Sequence, residues 1–80
     1  MKSSVQNAYF LIDLLTAKIS EMLAERNGQT ITTAMREFMA TKTFAVLARP
    51  QSFLHLESPE YILDMLDAEN THDTERWLEV

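Results

Sequence analysis

The sequence contains no cysteine, one glycine (Gly28) and two prolines (Pro50 and Pro59) in 80 residues. Without cysteine there is no disulfide scaffold, no thiol nucleophile and no Cys-ligated zinc or iron–sulfur site. A single glycine leaves no phosphate-cradling loop. It also leaves no glycine-flanked elbow around Ser3, Ser4, Ser20, Ser52 or Ser58, so no serine nucleophile is expected. Sandwiches and barrels need many tight turns and long helices need few, so the scarcity of turn formers favours an all-α fold. No apolar run approaches the ~18 residues of a membrane span. The stretch after Met1-Lys2-Ser3-Ser4 is interrupted by Asp13 and Lys18 and lacks a small-residue cleavage site, so no signal peptide is expected. Absence of cysteine fits a reducing compartment, and the expected location is cytoplasmic.

Basic residues are scarce in one place in particular. Residues 51–80 carry eight carboxylates and one cation, Arg76, a net charge of −7. Residues 31–50 carry Arg36, Lys42 and Arg49 against Glu37, and residues 1–30 balance, for a total of −5. The sign of a surface field selects partners, so the acidic third argues for solvation or for a basic partner, and against a nucleic-acid surface.

What is present reads as helix. A length of 80 residues supports one domain, residues 1–80, with about 60% of the unfolded surface buried. Val5, Ala8, Leu11, Ile12, Leu15, Ile19, Met22 and Leu23 form one stripe at helical period, predicting a helix over about 4–26 with Asp13, Lys18 and Ser20 outside it. Asn27-Gly28 is its stop. Phe10 and Leu14 lie on another side, which predicts either a second neighbour within the fold or a dimer seam.

Thr30 is placed to cap a helix with Ile31, Ala34, Met35, Phe38 and Met39 inward. The segment 31–49 either continues to Pro50 or breaks near residue 41, where Thr41 caps a short helix turning Phe44, Val46 and Leu47 inward. Residues 51–57 alternate loosely and predict an extended connector with Leu54 and Leu56 facing the core. Ser58-Pro59-Glu60 is a strong start signal for a helix over 59–69, with Tyr61, Ile62, Met65 and Leu66 inward and Leu63, Asp64, Asp67 and Glu69 elsewhere. The tail 71–80 is either frayed or a short C-terminal turn docking Trp77.

The stretch from Thr41-Lys42-Thr43-Phe44 to Glu57-Ser58-Pro59-Glu60-Tyr61 resembles a class of short, all-helical proteins of Gram-positive bacteria. Those proteins share a Thr-Lys-Thr-aromatic start and a Glu-Ser-Pro-x-Tyr opening of an acidic helix. The likeness spans roughly residues 30–70. It implies caps and inward apolar residues rather than catalytic ones, and it suggests partners in two-gene, toxin–antitoxin-like pairs. The chain departs from the pattern in the connector, where Arg49-Pro50-Gln51-Ser52 stands in place of an Asp-Pro-x-Thr-Gly turn.

Candidate chemistry is thin. His55 and His72 lie too far apart in sequence for a two-histidine metal motif. Glu57, Glu60, Asp64 and Asp67 fall at the spacing of a solvated helix face, with no apolar bracket to separate their pKa values. No catalytic, metal or cofactor site is therefore expected. The sequence reads as a compact bundle of three to four helices acting as a non-enzymatic protein–protein interaction module, an antitoxin-like inhibitor or adaptor. Phe10, Leu14, Asp64, Asp67 and Trp77 are its expected contacts with a basic protein partner. A small helix–turn–helix DNA-binding regulator using Arg36, Lys42 and Arg49 is the alternative.

Overall fold

The computed structural model describes the backbone of residues 2–71 and the side chains of residues 7–71. It contains four α-helices: α1 (Lys2–Asn27), α2 (Ile31–Met39), α3 (Lys42–Leu47) and α4 (Pro59–Asn70). Two 3-10 turns, Pro50–Ser52 and Leu54–Leu56, join α3 to α4. The described residues contain no strand. At about 1.5 Å per residue, α1 is roughly 39 Å long. That matches the 39 Å long dimension of the molecule, so α1 is the rod on which the other elements assemble.

Local capping chemistry explains where α2, α3 and α4 begin and where α1 ends. The Thr33 amide donates to Thr30 Oγ1 at 3.2 Å, the Phe44 amide to Thr41 Oγ1 at 3.1 Å, and the Tyr61 amide to Ser58 Oγ at 3.2 Å. These bonds satisfy donors that a helix start leaves without a partner. At the end of α1, Gly28 adopts φ 67°, and the Gln29 amide returns to the Ala24 carbonyl at 2.9 Å. That six-residue closure around a left-handed glycine is the Schellman stop.

Helix α3 has only six residues, too few to hold itself together. The amides of its first three residues are all satisfied by side-chain acceptors, and the fourth starts the helix's own ladder. Lys42 N–H donates to Glu69 Oε2 at 2.8 Å, and Thr43 N–H to Glu69 Oε1 at 2.8 Å. The Phe44 and Ala45 amides go to the Thr41 hydroxyl and carbonyl. The Thr43 hydroxyl also donates to Glu69 Oε1 at 2.7 Å. One carboxylate near the end of α4 thus clamps the start of α3.

The core is one cluster running through every helix: Ile12, Ile19, Leu23, Ala34, Phe38, Leu47, Leu54, Ile62, Met65 and Leu66 among others. Phe44 meets Phe38 edge-on, with ring centroids 5.5 Å apart. Fully burying a Leu, Ile or Phe side chain contributes about 1.5–3 kcal/mol, so this cluster is the main source of stability.

Several expectations need correction. Ser20 is fully buried, not outside the stripe; its hydroxyl donates to the Thr16 carbonyl at 2.7 Å, as Thr16 does to Ile12. Back-bonding of this kind lets a short hydroxyl side chain enter a core without an unmet donor. Ile31 and Met39 are half-exposed at the two ends of α2, leaving Ala34 and Phe38 as its buried face. The segment 31–49 is broken at Ala40–Thr41, as the capping threonine required. Residues 50–56 are two 3-10 turns rather than extended chain; Leu54 is buried but Leu56 is 66% exposed. Leu63, expected elsewhere than the inward face, packs partly buried against the core. The side chain of Val5 and the tail with Trp77 lie outside the described residues.

Candidate interaction surface

The connector is built around one hydroxyl. Ser52 Oγ donates toward the carbonyls of Val46 and Arg49, both at 2.8 Å, and accepts from the Leu54 amide at 3.2 Å. Two further backbone bonds, Phe53 N–H to Pro50 and Leu56 N–H to Phe53, close the paired turns. Between them Phe53 is driven to φ 58°, ψ 13°, the left-handed region. For a bulky side chain that conformation is an outlier, disfavoured by roughly 1–2 kcal/mol. Burial does not offset this cost. Phe53 is 64% exposed, and its ring contact is a loose tilted one with His55 at 6.4 Å. Leu56, the last residue of the second turn, is the most exposed of the large hydrophobic residues described.

A second apolar area lies on the N-terminal half of α1. Phe10 is 62% exposed and Leu14 51%, with Tyr9 beside them. Phe10 and Leu14 are one turn apart and share a face, opposite the stripe that buries Ile12 and Ile19. Among the described residues no second neighbour of the same chain covers them. The pair sits on the outside.

The acidic residues of α4 divide by role. Glu69 is committed to the start of α3. Burial pushes its carboxyl up, but the hydrogen bonds from Thr43 and from the Lys42 and Thr43 amides, with the Lys42 charge, outweigh that and leave it below the usual glutamate value. Asp67 is half-buried and bound by Arg26 through two contacts, 2.9 Å (Nη2–Oδ1) and 3.3 Å (Nη1–Oδ2). This pair ties the last turn of α1 to α4. Asp67 therefore serves the fold first. Glu57, Glu60 and Asp64 are exposed, and they give this end its anionic exterior.

The structure does not gather the expected contacts into one pocket. Phe10 and Leu14 share a face of α1, Asp64 is on the outside of α4, and Trp77 is not among the described residues. Arg36, Lys42 and Arg49 are all exposed. The sequence reading missed Phe53 and Leu56. Its one available signal was two large apolar residues flanking a leucine–histidine pair in a stretch with no regular period. Among the described residues, no helix is long and apolar enough to cross a membrane. Compared with protein-family models, curated proteins and solved structures, the chain matches none of them.

Proposed function

We propose that this chain is a non-enzymatic interaction module, cytoplasmic, that docks on a basic protein partner through exposed apolar side chains set in an acidic exterior. The observation that carries the reading is Phe53. Its ring stands in water, on a backbone position disfavoured for every residue except glycine, inside a connector made rigid by Ser52. Strain that the fold does not need is characteristic of contact sites. Aromatic side chains are the commonest energetic anchors of interfaces.

The α1 face supports the same reading. Tyr9, Phe10 and Leu14 each expose on the order of 100 Å², about 300 Å² together. A standard interface buries roughly 800 Å² per partner, so this seam alone falls short of a stable homodimer and fits better as part of a larger surface. The net charge of −5 and the exposed Glu57, Glu60 and Asp64 suit a basic partner, with charge setting encounter rate and register more than affinity. An antitoxin-like inhibitor is one concrete form, consistent with the resemblance of residues 30–70.

The DNA-binding alternative is weaker on physical grounds. A recognition helix presents its N-terminal end to the nucleic acid, and anions favour that end. In α3 that end is already occupied by the Glu69 carboxylate, and the helix has only six residues.

The test is isolation of the tagged chain from its own cells under native conditions, with identification by mass spectrometry. One basic protein retained in fixed ratio, and lost on Phe53→Gly with Leu56→Ser, supports the reading. A free monomer that retains nothing overturns it.

A further inference from the structure

A cleft of about 140 Å³ lies where the ends of α1 and α4 meet the inner side of α2. Leu66 and Phe38 contribute its apolar lining, and Asn27, Gln29, Glu37 and Asn70 contribute polar groups. Those polar groups are rich in acceptors. Gln29 Nε2 donates to Glu37 Oε1 at 2.9 Å, which fixes the orientation of the amide and leaves Gln29 Oε1 as an acceptor. That oxygen is buried and has no hydrogen-bond partner. A buried acceptor left without a donor costs about 1–3 kcal/mol; this one has almost no accessible surface, so a donor entering the cleft meets it by a shift of the Gln29 side chain. Glu37 takes part in no ion pair among the described residues. Arg26, next to Asn27 in the chain, is committed to Asp67.

Two further features favour a positive guest. The C-terminal residues of α1 and α4, Asn27 and Asn70, line the same cleft, so two helix dipoles turn their negative ends toward it. The volume holds four or five waters at about 30 Å³ each, enough for a planar cationic head and part of its stem. A guanidinium group matches this set best. Its fork of donors reaches a carboxylate and a carbonyl at once, and its methylenes suit an apolar floor.

We infer that this cleft is an anchor site for an arginine side chain, supplied by the basic partner. The identity of the supplier rests on the interaction reading above; the chemistry of the cleft does not. It recognises a charged fork through Glu37 and the unmet carbonyl of Gln29, and it disfavours neutral isosteres.

The probe is N-acetyl-arginine amide, titrated into the full chain while backbone amide resonances are recorded. Saturable shifts centred on Asn27, Gln29, Glu37 and Asn70, with a dissociation constant on the order of millimolar, are expected. N-acetyl-citrulline amide, nearly isosteric but uncharged, is expected to bind about tenfold more weakly, as is the arginine probe to Glu37→Gln. Equal response to the two probes, full binding to Glu37→Gln with a native spectrum, or shifts scattered without saturation overturns the proposal. The two readings fail separately. Arginine-amide binding that survives in a chain with no cellular partner keeps the cleft chemistry and removes the partner. A partner retained undiminished by Glu37→Gln removes the cleft and keeps the interaction.

Discussion

Replacing Glu69 with alanine removes three hydrogen bonds at once, two of them from the first amides of α3. An ordinary N-cap deletion costs about 1 kcal/mol, and hydrogen bonds to a charged group contribute about 1.5–3 kcal/mol each when desolvated. Glu69 is only partly buried, so water recovers much of the loss, and a net cost of about 2–3 kcal/mol is the reasonable expectation. For an 80-residue chain the unfolding entropy near the midpoint is roughly 0.17 kcal/mol/K, so the melting temperature should fall by about 12–18 °C. Glu69→Gln keeps one acceptor and should lose about half as much.

Urea titrations and thermal melts followed by circular dichroism measure both variants. Hydrogen exchange adds location, because Thr43, Phe44 and Ala45 should lose protection before the core of α1. A Glu69→Ala protein with a midpoint within 2 °C of the parent by roughly the same entropy argument, and with α3 amides equally protected, would refute the clamp.

The same group predicts a pH dependence. The carboxyl of Glu69 is lowered in the folded chain relative to the unfolded one, so its contribution is fully present above the unfolded glutamate pKa. It declines as pH falls through that value toward the folded one, so acid urea midpoints should fall less steeply in Glu69→Gln than in the parent. Gly28→Ala should cost about 1 kcal/mol from the left-handed backbone alone, since a β-carbon there meets nothing within 4 Å; urea unfolding checks it. Phe53→Gly should leave stability unchanged or raise it by up to about 1 kcal/mol, as strain relief exceeds the added chain entropy; a fall of more than that in urea would show that the ring supports the fold. Phe10→Glu should shift stability by no more than about 0.5 kcal/mol, whereas Ile19→Ala, in the core, should cost about 2–5 kcal/mol.

What the sequence made legible was local. Thr30, Thr41 and Ser58 act on amides three residues away, so their capping could be read from spacing and confirmed in place. The apolar stripe of α1 was equally visible, because burial of Ile12, Ile19 and Leu23 follows the helical period. Ser20 was not, since a hydroxyl looks polar until its own helix supplies the acceptor. The Glu69 clamp joins residues 26 and 27 positions apart, and the Arg26–Asp67 pair joins residues 41 apart; no periodicity reports such ties. The connector defeated pattern reading for a different reason. Ser52 closes a turn that leaves Phe53 against its own backbone preference, so the alternation of Leu54 and Leu56 reads as an extended connector that the chain does not form. The place where local propensity fails is also where the most exposed aromatic side chain among the described residues stands.

The proposal that Phe53 and Phe10 are held outward for a partner is tested most directly by photo-cross-linking in the cell of origin, with a benzophenone side chain installed at position 53 or 10. The account predicts one discrete adduct with a basic protein from both positions, weakened by Leu56→Ser or Leu14→Ser. No adduct from either position, with the protein recovered folded and monomeric, would contradict it.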